Sequence, residues 1–212
     1  MNENIVKRNE LLAQKVIKGI DSRNMKGYYA ASKEEALKIA LELIPENSSV
    51  TMGGAMSARE IGLVDALKSG NYRFIEREDA KTPEEKRQAT LDGYDADYFL
   101  TSANAMTEDG VMINIDGNSN RVSFIAHGPK HVIAIVGMNK ICSDVDAAMK
   151  RARNVAAPIN AQRFGLQTPC AKTGACMDCK SPDTICCQFL ITRYSRHEGR
   201  IHVILVNDNL GF

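Results

Sequence analysis

The sequence predicts an α/β protein with a mostly parallel, doubly wound sheet and an inserted β-meander. Three observations carry that expectation. Strand-like apolar runs alternate with amphipathic helical stretches over about the first hundred residues, the pattern of parallel strands joined by right-handed crossovers. The run HVIAIVG, residues 131–137, is apolar almost throughout, as a strand buried on both faces must be. Between these regions, Asp-Gly and Asn-rich turn signals crowd around short β runs.

Taken in order, Ile5, Leu12, Val16 and Ile20 recur near helical spacing with charges between them. Residues 1–24 therefore form an amphipathic helix packed on the body or on a partner, which makes a homodimer one expectation. Residues 25–212 form the main domain, including a Cys-rich segment at 168–187 and a closing β-hairpin. Within it, GYYAA suits a short strand, and Ser32 with Glu35 has the spacing of a capping box for the helix SKEEALKIALELI, which Pro45 stops. Strand SSVTMGG, helix SAREIGLVDALKSG, strand NYRFIER, helix TPEEKRQATLDGY and strand DYFLTSA follow. TEDG, VMINID, GNSN and RVSFIAHG then alternate as turns and short β segments, making the meander. After HVIAIVG comes the helix SDVDAAMKRARNVAAPINAQR, capped by Ser143 or Asp144. QFLITRYS and RIHVILVND, separated by HEG, read as the two strands of the hairpin.

Composition narrows the function classes. The 212 residues are 44% hydrophobic, enough for a large core. Lys plus Arg total 27 against 26 for Asp plus Glu, a net charge of +1, so no whole-molecule field recruits nucleic acid or an anionic membrane. No stretch approaches the roughly 20 apolar residues that span a bilayer, and charges scattered through the N-terminal residues argue against a leader. The expectation is a cytoplasmic chain whose six cysteines are thiols. There is no P-loop, serine triad or nucleic-acid motif.

Three places gather chemistry. In VTMGGAMSARE, Gly53 and Gly54 allow close backbone approach and Ser57 suits a helix cap, so the turn either binds an anion or only tightens the strand-to-helix connection. From Asn104 to Arg121, the residues Asn104, Thr107, Glu108, Asp109, Asn114, Asp116, Asn118, Asn120 and Arg121 crowd around two turns. Hairpins favour such residues for positive φ. The functional reading lines a cleft with them, Glu108, Asp109 or Asp116 acting as acid or base and Arg121 as a fork for a carboxylate or phosphate. The third place is Cys170, Cys176, Cys179, Cys186 and Cys187, interrupted by Gly174 and Pro182. Thiolates brought together by loops suit zinc or an iron–sulfur cluster; redox-active thiols and simple packing are the alternatives. If Cys186 and Cys187 begin a strand they face opposite sides, so one of them is not a ligand. Cys142 stands apart and reads as a small buried residue.

The stretches NAMTEDGVMINIDGNSNRV, GPKHVIAIVGMNKI and MGGAMSAREIGL resemble the lactate-utilisation, or LUD, domain family, over about residues 8–207. The tail TPCAKTGACMDCKSPDTIC is similar to the ending of a single-domain subgroup, which implies Cys170, Cys176, Cys179 and Cys186 as its cysteine positions and leaves Cys187 as an extra. The resemblance implies a fold like those of ribose-phosphate isomerase, glucosamine-phosphate deaminase and CoA transferases, with a ligand cleft at the carboxyl edge of the sheet. It also implies work beside iron–sulfur subunits that oxidise L-lactate, although this chain lacks the ferredoxin-like repeats of the larger partner. The leading expectation is an accessory or electron-transfer component of 2-hydroxyacid oxidation that binds a small anionic metabolite. An isomerase, hydrolase or acyl-transfer enzyme is the alternative, and a binding module with structural zinc is a third.

Overall fold

The computed structural model describes residues 2–212, apart from the side chain of Glu78. A six-stranded, wholly parallel sheet forms its centre, in the order β1 (Lys26–Ala30), β10 (Ile201–Val206), β7 (His131–Gly137), β4 (Tyr98–Thr101), β2 (Ser49–Met52), β3 (Arg73–Ile75). Alternation along each strand fills two cores. Leu100, Ile133, Ile135, Ile204 and Val206 face one side, and Phe99, Val132, Ala134, Val136, Val203 and Leu205 face the other.

On the first side lie α2 (Lys33–Leu43), α3 (Met56–Glu60) and α4 (Leu63–Ser69), which bury Ala36, Ala40, Ala58, Leu63 and Leu67. On the second side lies α1 (Glu3–Ser22), its buried stripe of Ala13, Val16 and Ile20 packed into the core. Each fully buried Val or Ile there contributes about 1.5–3 kcal/mol. Met1, the first residue of the expected 1–24 helix, lies outside the described residues. The same face carries α5 (Pro83–Tyr94), whose Thr82–Glu85 capping box is complete, and α6 (Asn120–Ala126). Ser32 caps α2, but Glu35 returns to the backbone N–H of Ala31, one residue before the cap.

A second sheet, ordered β8 (Ile141–Cys142), β5 (Ala105–Thr107), β6 (Met112–Asp116), β9 (Gln188–Thr192), stacks against this side. Its outer face is closed by α7 (Val145–Arg151) and the residue after it, burying Ala148 and Ala152 against Ala105, Ile113 and Ile115. The helix runs on through a π turn at residues 152–156 into α8 (Ala157–Arg163), and α9 (Pro169–Thr173) opens the cysteine segment. Asp144 is the cap.

Three expectations are corrected. RVSFIAHG is helix α6, not a meander strand, because Asp116 Oδ2 accepts from the N–H groups of Arg121 at 2.8 Å and Val122 at 3.1 Å and so satisfies the start of a helix that buries Val122, Phe124 and Ile125. The chain does not close on a hairpin. β9 is an edge strand antiparallel to β6, while β10 inserts between β1 and β7, where its apolar side chains are covered on both faces. The expected helix at 57–70 is two, broken at Gly62, which takes φ +78°.

Candidate functional site

The carboxyl ends of the parallel strands meet at one rim. From β2 the chain moves outward to β3, then returns on the other side of β2 to β4, β7 and β10. The crevice between β2 and β4 is therefore a topological switch point, the usual ligand position in open α/β sheets. Gly53 follows β2, Ser102 follows β4 and Lys140 follows β7 by one short turn.

A cavity of about 250 Å³ opens there, between the Gly53–Gly54 turn, Glu76 and Arg77 after β3, Asp116 to Arg121 at the β6–α6 junction, and Asn160, Arg163 and Phe164 at the end of α8. Gly54 takes φ +59°, and Gly53 leaves room for the side chains of Phe99 and Arg121. Arg121 is the main cation. Its Nη2 donates to Asn104 Oδ1 at 3.0 Å and to the Ile115 carbonyl; among the described residues these are its side-chain bonds, which leaves Nε and Nη1 for a ligand. Burial lowers the affinity of this guanidinium for its proton, with Asp116 opposing and Arg163 reinforcing the effect, yet an arginine stays charged at neutral pH. Arg163 is held by Asn160 Oδ1 at 2.9 Å and lies over the Phe164 ring.

The acids of the cavity are engaged. Asp116 caps α6, and Glu76, 7% exposed at its side chain, pairs with Arg59 at 3.1 Å and with Lys68. Burial alone would raise the Glu76 carboxyl, but Lys68 and Arg59 hold it below its ordinary value.

A smaller hollow of about 40 Å³ shares Gly54, Arg121 and Asn160 with the first and adds Ser57, Ser102, Asn104, Lys140, Gly211 and Phe212. Lys140 is 2% exposed. Its Nζ donates to Ser102 Oγ at 2.9 Å and Ser57 Oγ at 3.3 Å, and the two hydroxyls lie 3.3 Å apart. Burial, then the charges of Arg151 and Arg121, push the amine down to about 7 against the opposing pull of Glu60. Asn114 Nδ2 fixes the Ser102 carbonyl at 2.8 Å.

The rim thus unites Gly53, Gly54, Ser57, Asn104, Asp116, Asn118, Asn120 and Arg121 from the sequence-derived candidates. Ser57 is not a cap: Ala55 holds that position, and the Ser57 hydroxyl turns to Ser102 and Lys140. Glu108, Asp109 and Thr107 lie outside both hollows, at the β5–β6 turn beneath α1. Glu108 pairs with Lys15 at 2.5 Å, Asp109 with Arg23, and Thr107 Oγ1 donates to Asp109 and accepts from Val111 N at 2.8 Å, all contacts that hold the turn against the first helix. The acid–base role expected of Glu108 and Asp109 and the ligand role expected of Thr107 thus have no place in either hollow. His127 lines a different surface hollow, with His131 and His197. Lys140, Ser102, Arg163 and Asn160 escaped the sequence reading. The one signal was a lysine set one short turn after a nearly all-apolar strand, in GMNKIC.

In the cysteine segment no three His, Cys, Asp or Glu side chains among the described residues are gathered closely enough to hold a metal ion. Cys186 nonetheless lies within electrostatic reach of three other cysteines. Burial and then Cys176, Cys170 and Cys179 push the Cys186 thiol up to about 11, with Arg153 opposing, and Arg153 Nη2 reaches Cys176 Sγ at 3.6 Å. The all-thiol donor set suits a soft metal. Cys186 is half-buried against the core of the second sheet and Cys187 is exposed, and β9 begins only after both, at Gln188. Ile185, next to Cys186, lines the large cavity.

No helix among the described residues is long and apolar enough to cross a membrane. The sequence model of the LUD domain matches residues 13–206. No curated protein matches. Among solved structures, a DUF162 family protein from Deinococcus radiodurans is similar at 13% identity and a TM-score of 0.48, covering 96% of this chain and 98% of its own.

Proposed function

Because this chain belongs to the LUD domain family, we propose that it serves lactate utilisation by holding a small carboxylate, of the 2-hydroxy or 2-oxo acid class, in the cavity at the carboxyl rim of its parallel sheet. The observation that carries this reading is the charge balance of that cavity. Arg121, Arg163 and Arg77 line it, while its two acids already have partners. An anion is the ligand such a wall favours, and the free edge of Arg121 suits the forked hydrogen bonding of a carboxylate. At about 250 Å³ the cavity is below the roughly 300–1,000 Å³ of drug-sized sites, in keeping with a metabolite of few atoms.

Titration calorimetry with L-lactate, pyruvate and the neutral amide of lactate tests it. The acids are expected to bind, the amide to bind at least about tenfold more weakly, and Arg121→Gln to remove the difference. Equal binding of acid and amide, no binding of either acid, or an unaffected Arg121→Gln variant would overturn the reading.

The electrostatic reach of three cysteines to Cys186 favours a second part to this role. Cys170, Cys176, Cys179 and Cys186 would hold an iron–sulfur cluster or zinc, with Cys187 outside the set. When bound, a cluster supplies one-electron transfer and zinc supplies rigidity to the segment. The contact of Ile185 with the cavity would put that segment beside the ligand, and iron–sulfur subunits are the partners an electron-transfer role calls for. Anaerobic purification with metal and sulfide analysis decides between them. Iron with sulfide, lost in a Cys176→Ser, Cys179→Ser double variant, supports electron transfer; zinc supports structure; a metal-free protein removes this part and leaves the carboxylate site standing.

A further inference from the structure

We infer that Ser102 and Lys140 form a serine–lysine nucleophilic centre that acts on small activated acyl esters or thioesters, with Ser57 as its positioning residue. The inference rests on a side-chain cluster that the carboxylate reading does not use. A lysine this deeply enclosed is ordinarily paired with a carboxylate, because an unpaired buried charge is costly. Lys140 has two hydroxyls instead, at 2.9 and 3.3 Å. The one acid acting on it among the described residues, Glu60, is held by the backbone N–H of Gly211 at 3.1 and 3.3 Å. A chain that only needed to fill this space would do so with an apolar side chain at no electrostatic cost.

What the arrangement does supply is a base beside a nucleophile. The charged groups facing Lys140 are Arg151 from α7, Arg121 from α6 and Glu60 from α3, and two of the three disfavour the ammonium form. A neutral amine within hydrogen-bond reach of a serine hydroxyl is the pairing that serine–lysine hydrolases use, and it needs no histidine. Three separate segments converge to make it: Ser57 from the start of α3, Ser102 from the end of β4, Lys140 from the turn after β7. All three stand at the rim where ligands of such sheets bind.

The chemistry balances with the groups present and water. The Ser102 proton passes to the Lys140 lone pair as Oγ bonds to the acyl carbon; the bond from that carbon to the leaving oxygen or sulfur breaks, and the Lys140 ammonium returns the proton to the departing group. Water then attacks the acyl-serine, its proton passing through Lys140 to Ser102, and the acid is released. Ser57, 3.3 Å from both partners, keeps the amine aimed at Ser102. Gly211 and Phe212 roof the hollow, which at about 40 Å³ has room for one or two waters. A Cβ on Gly211 would stand 3.1 Å from Ser57 Oγ and 3.3 Å from Lys140 Nζ, so the roof sits directly on the pair and has to lift for an acyl group to enter.

An alkyl fluorophosphonate, which phosphonylates activated serines with loss of fluoride, tests the inference on the full chain by intact mass and peptide mapping. One label on Ser102 is expected, with a rate that rises through a midpoint near pH 7 and none in Ser102→Ala. Lys140→Met is expected to slow labelling at least about 100-fold and to abolish the pH midpoint, the scale of general-base catalysis. Ser57→Ala is expected to keep the label on Ser102, slow it by about tenfold and displace the midpoint. Thermal melts of each variant confirm that it is folded. An unlabelled wild-type protein, a label on another residue, or a rate indifferent to Lys140 would overturn the inference. Because the probe carries no carboxylate, none of these outcomes depends on the lactate or pyruvate titration.

Discussion

Gly53 lies flat against the stem of Arg121: a methyl group added to Gly53 would stand 3.1 Å from Cγ and 3.2 Å from Cβ of that arginine, and 2.9 Å from Cζ of Phe99. The ring belongs to a packed core and the stem borders the cavity, so the arginine is the part that moves. Gly53→Ala is expected to weaken carboxylate binding by about tenfold, from roughly 1.4 kcal/mol of misplacement, and to lower stability only modestly. Calorimetry and a melt on the same sample check it; unchanged affinity would show that the Arg121 stem has slack.

Asp116 has the same arginine by its backbone. The helix it starts has Ser119 at the cap position with φ +63° and no side-chain cap of its own, so the Asp116 carboxylate does that work from three residues earlier. Removing it by Asp116→Ala is expected to cost about 1 kcal/mol, as for other lost caps, and to lower Tm by about 2–4 °C in a chain of this length. Carboxylate affinity should fall with it. Asp116→Asn, which keeps an acceptor oxygen, should recover most of both.

Lys140 makes stability depend on pH in an unusual direction. Its folded value of about 7 lies below the ordinary 10.5 of the unfolded chain. Between those values the unfolded chain binds a proton that the folded one does not, so this group's contribution improves as pH rises from about 7 to about 10, and its full cost is present below about 7. Lys140→Met is therefore expected to raise stability by roughly 1–3 kcal/mol at about pH 6.5, with the advantage shrinking by about pH 9.5. Urea unfolding at both pH values checks it. A variant less stable than wild type at the lower pH would mean that the amine's hydrogen bonds outweigh its burial.

Asp97 works in the opposite sense. Lys130 at 2.8 Å, with the Ser49 N–H at 2.9 Å and hydroxyl at 2.7 Å, holds its carboxyl down to about 2. The folded value lies below the unfolded one, so the contribution is fully present above about pH 4 and is lost as pH falls through about 2. Much of it is screened, since a third of the carboxylate side chain is exposed. Asp97→Ala is expected to cost about 1 kcal/mol at neutral pH and only a small part of that at about pH 2, read from chemical unfolding at the two conditions.

How far the chain could be read in advance follows from where each signal resides. HVIAIVG announces a strand covered on both faces because burial of both faces leaves no polar position after His131, and β7 is buried from Val132 to Gly137. Ser32 and Glu35 announce a helix start because the bond from the Glu35 N–H to the Ser32 hydroxyl lies within four residues. RVSFIAHG misled because the carboxylate that starts its helix sits upstream on a strand, and because Val122, Phe124 and Ile125 fit neither period cleanly over so short a span. The final two strands misled for a different reason. Their proximity in sequence suggests a hairpin, but whether β10 joins β9 or the main sheet depends on which partner covers its second face.

The candidate site divides along the same line. Gly53, Gly54 and Arg121 were legible because turn chemistry and a cation near an Asn-rich loop are local features, and the family motifs run through them. Glu108 and Asp109 carry the same local signature as Asp116, and only the fold sends them under α1 to Lys15 and Arg23. Local chemistry and periodicity by themselves determined the alternating α/β order, the parallel strands and the stretches that carry the family's features. The tertiary structure alone decided that Ser57, Ser102 and Lys140, drawn from segments 45 and 38 residues apart, share one buried hollow. Hydrogen bonds and dielectric depend on distance in space, and no spacing along the chain encodes that distance until the crossovers have closed.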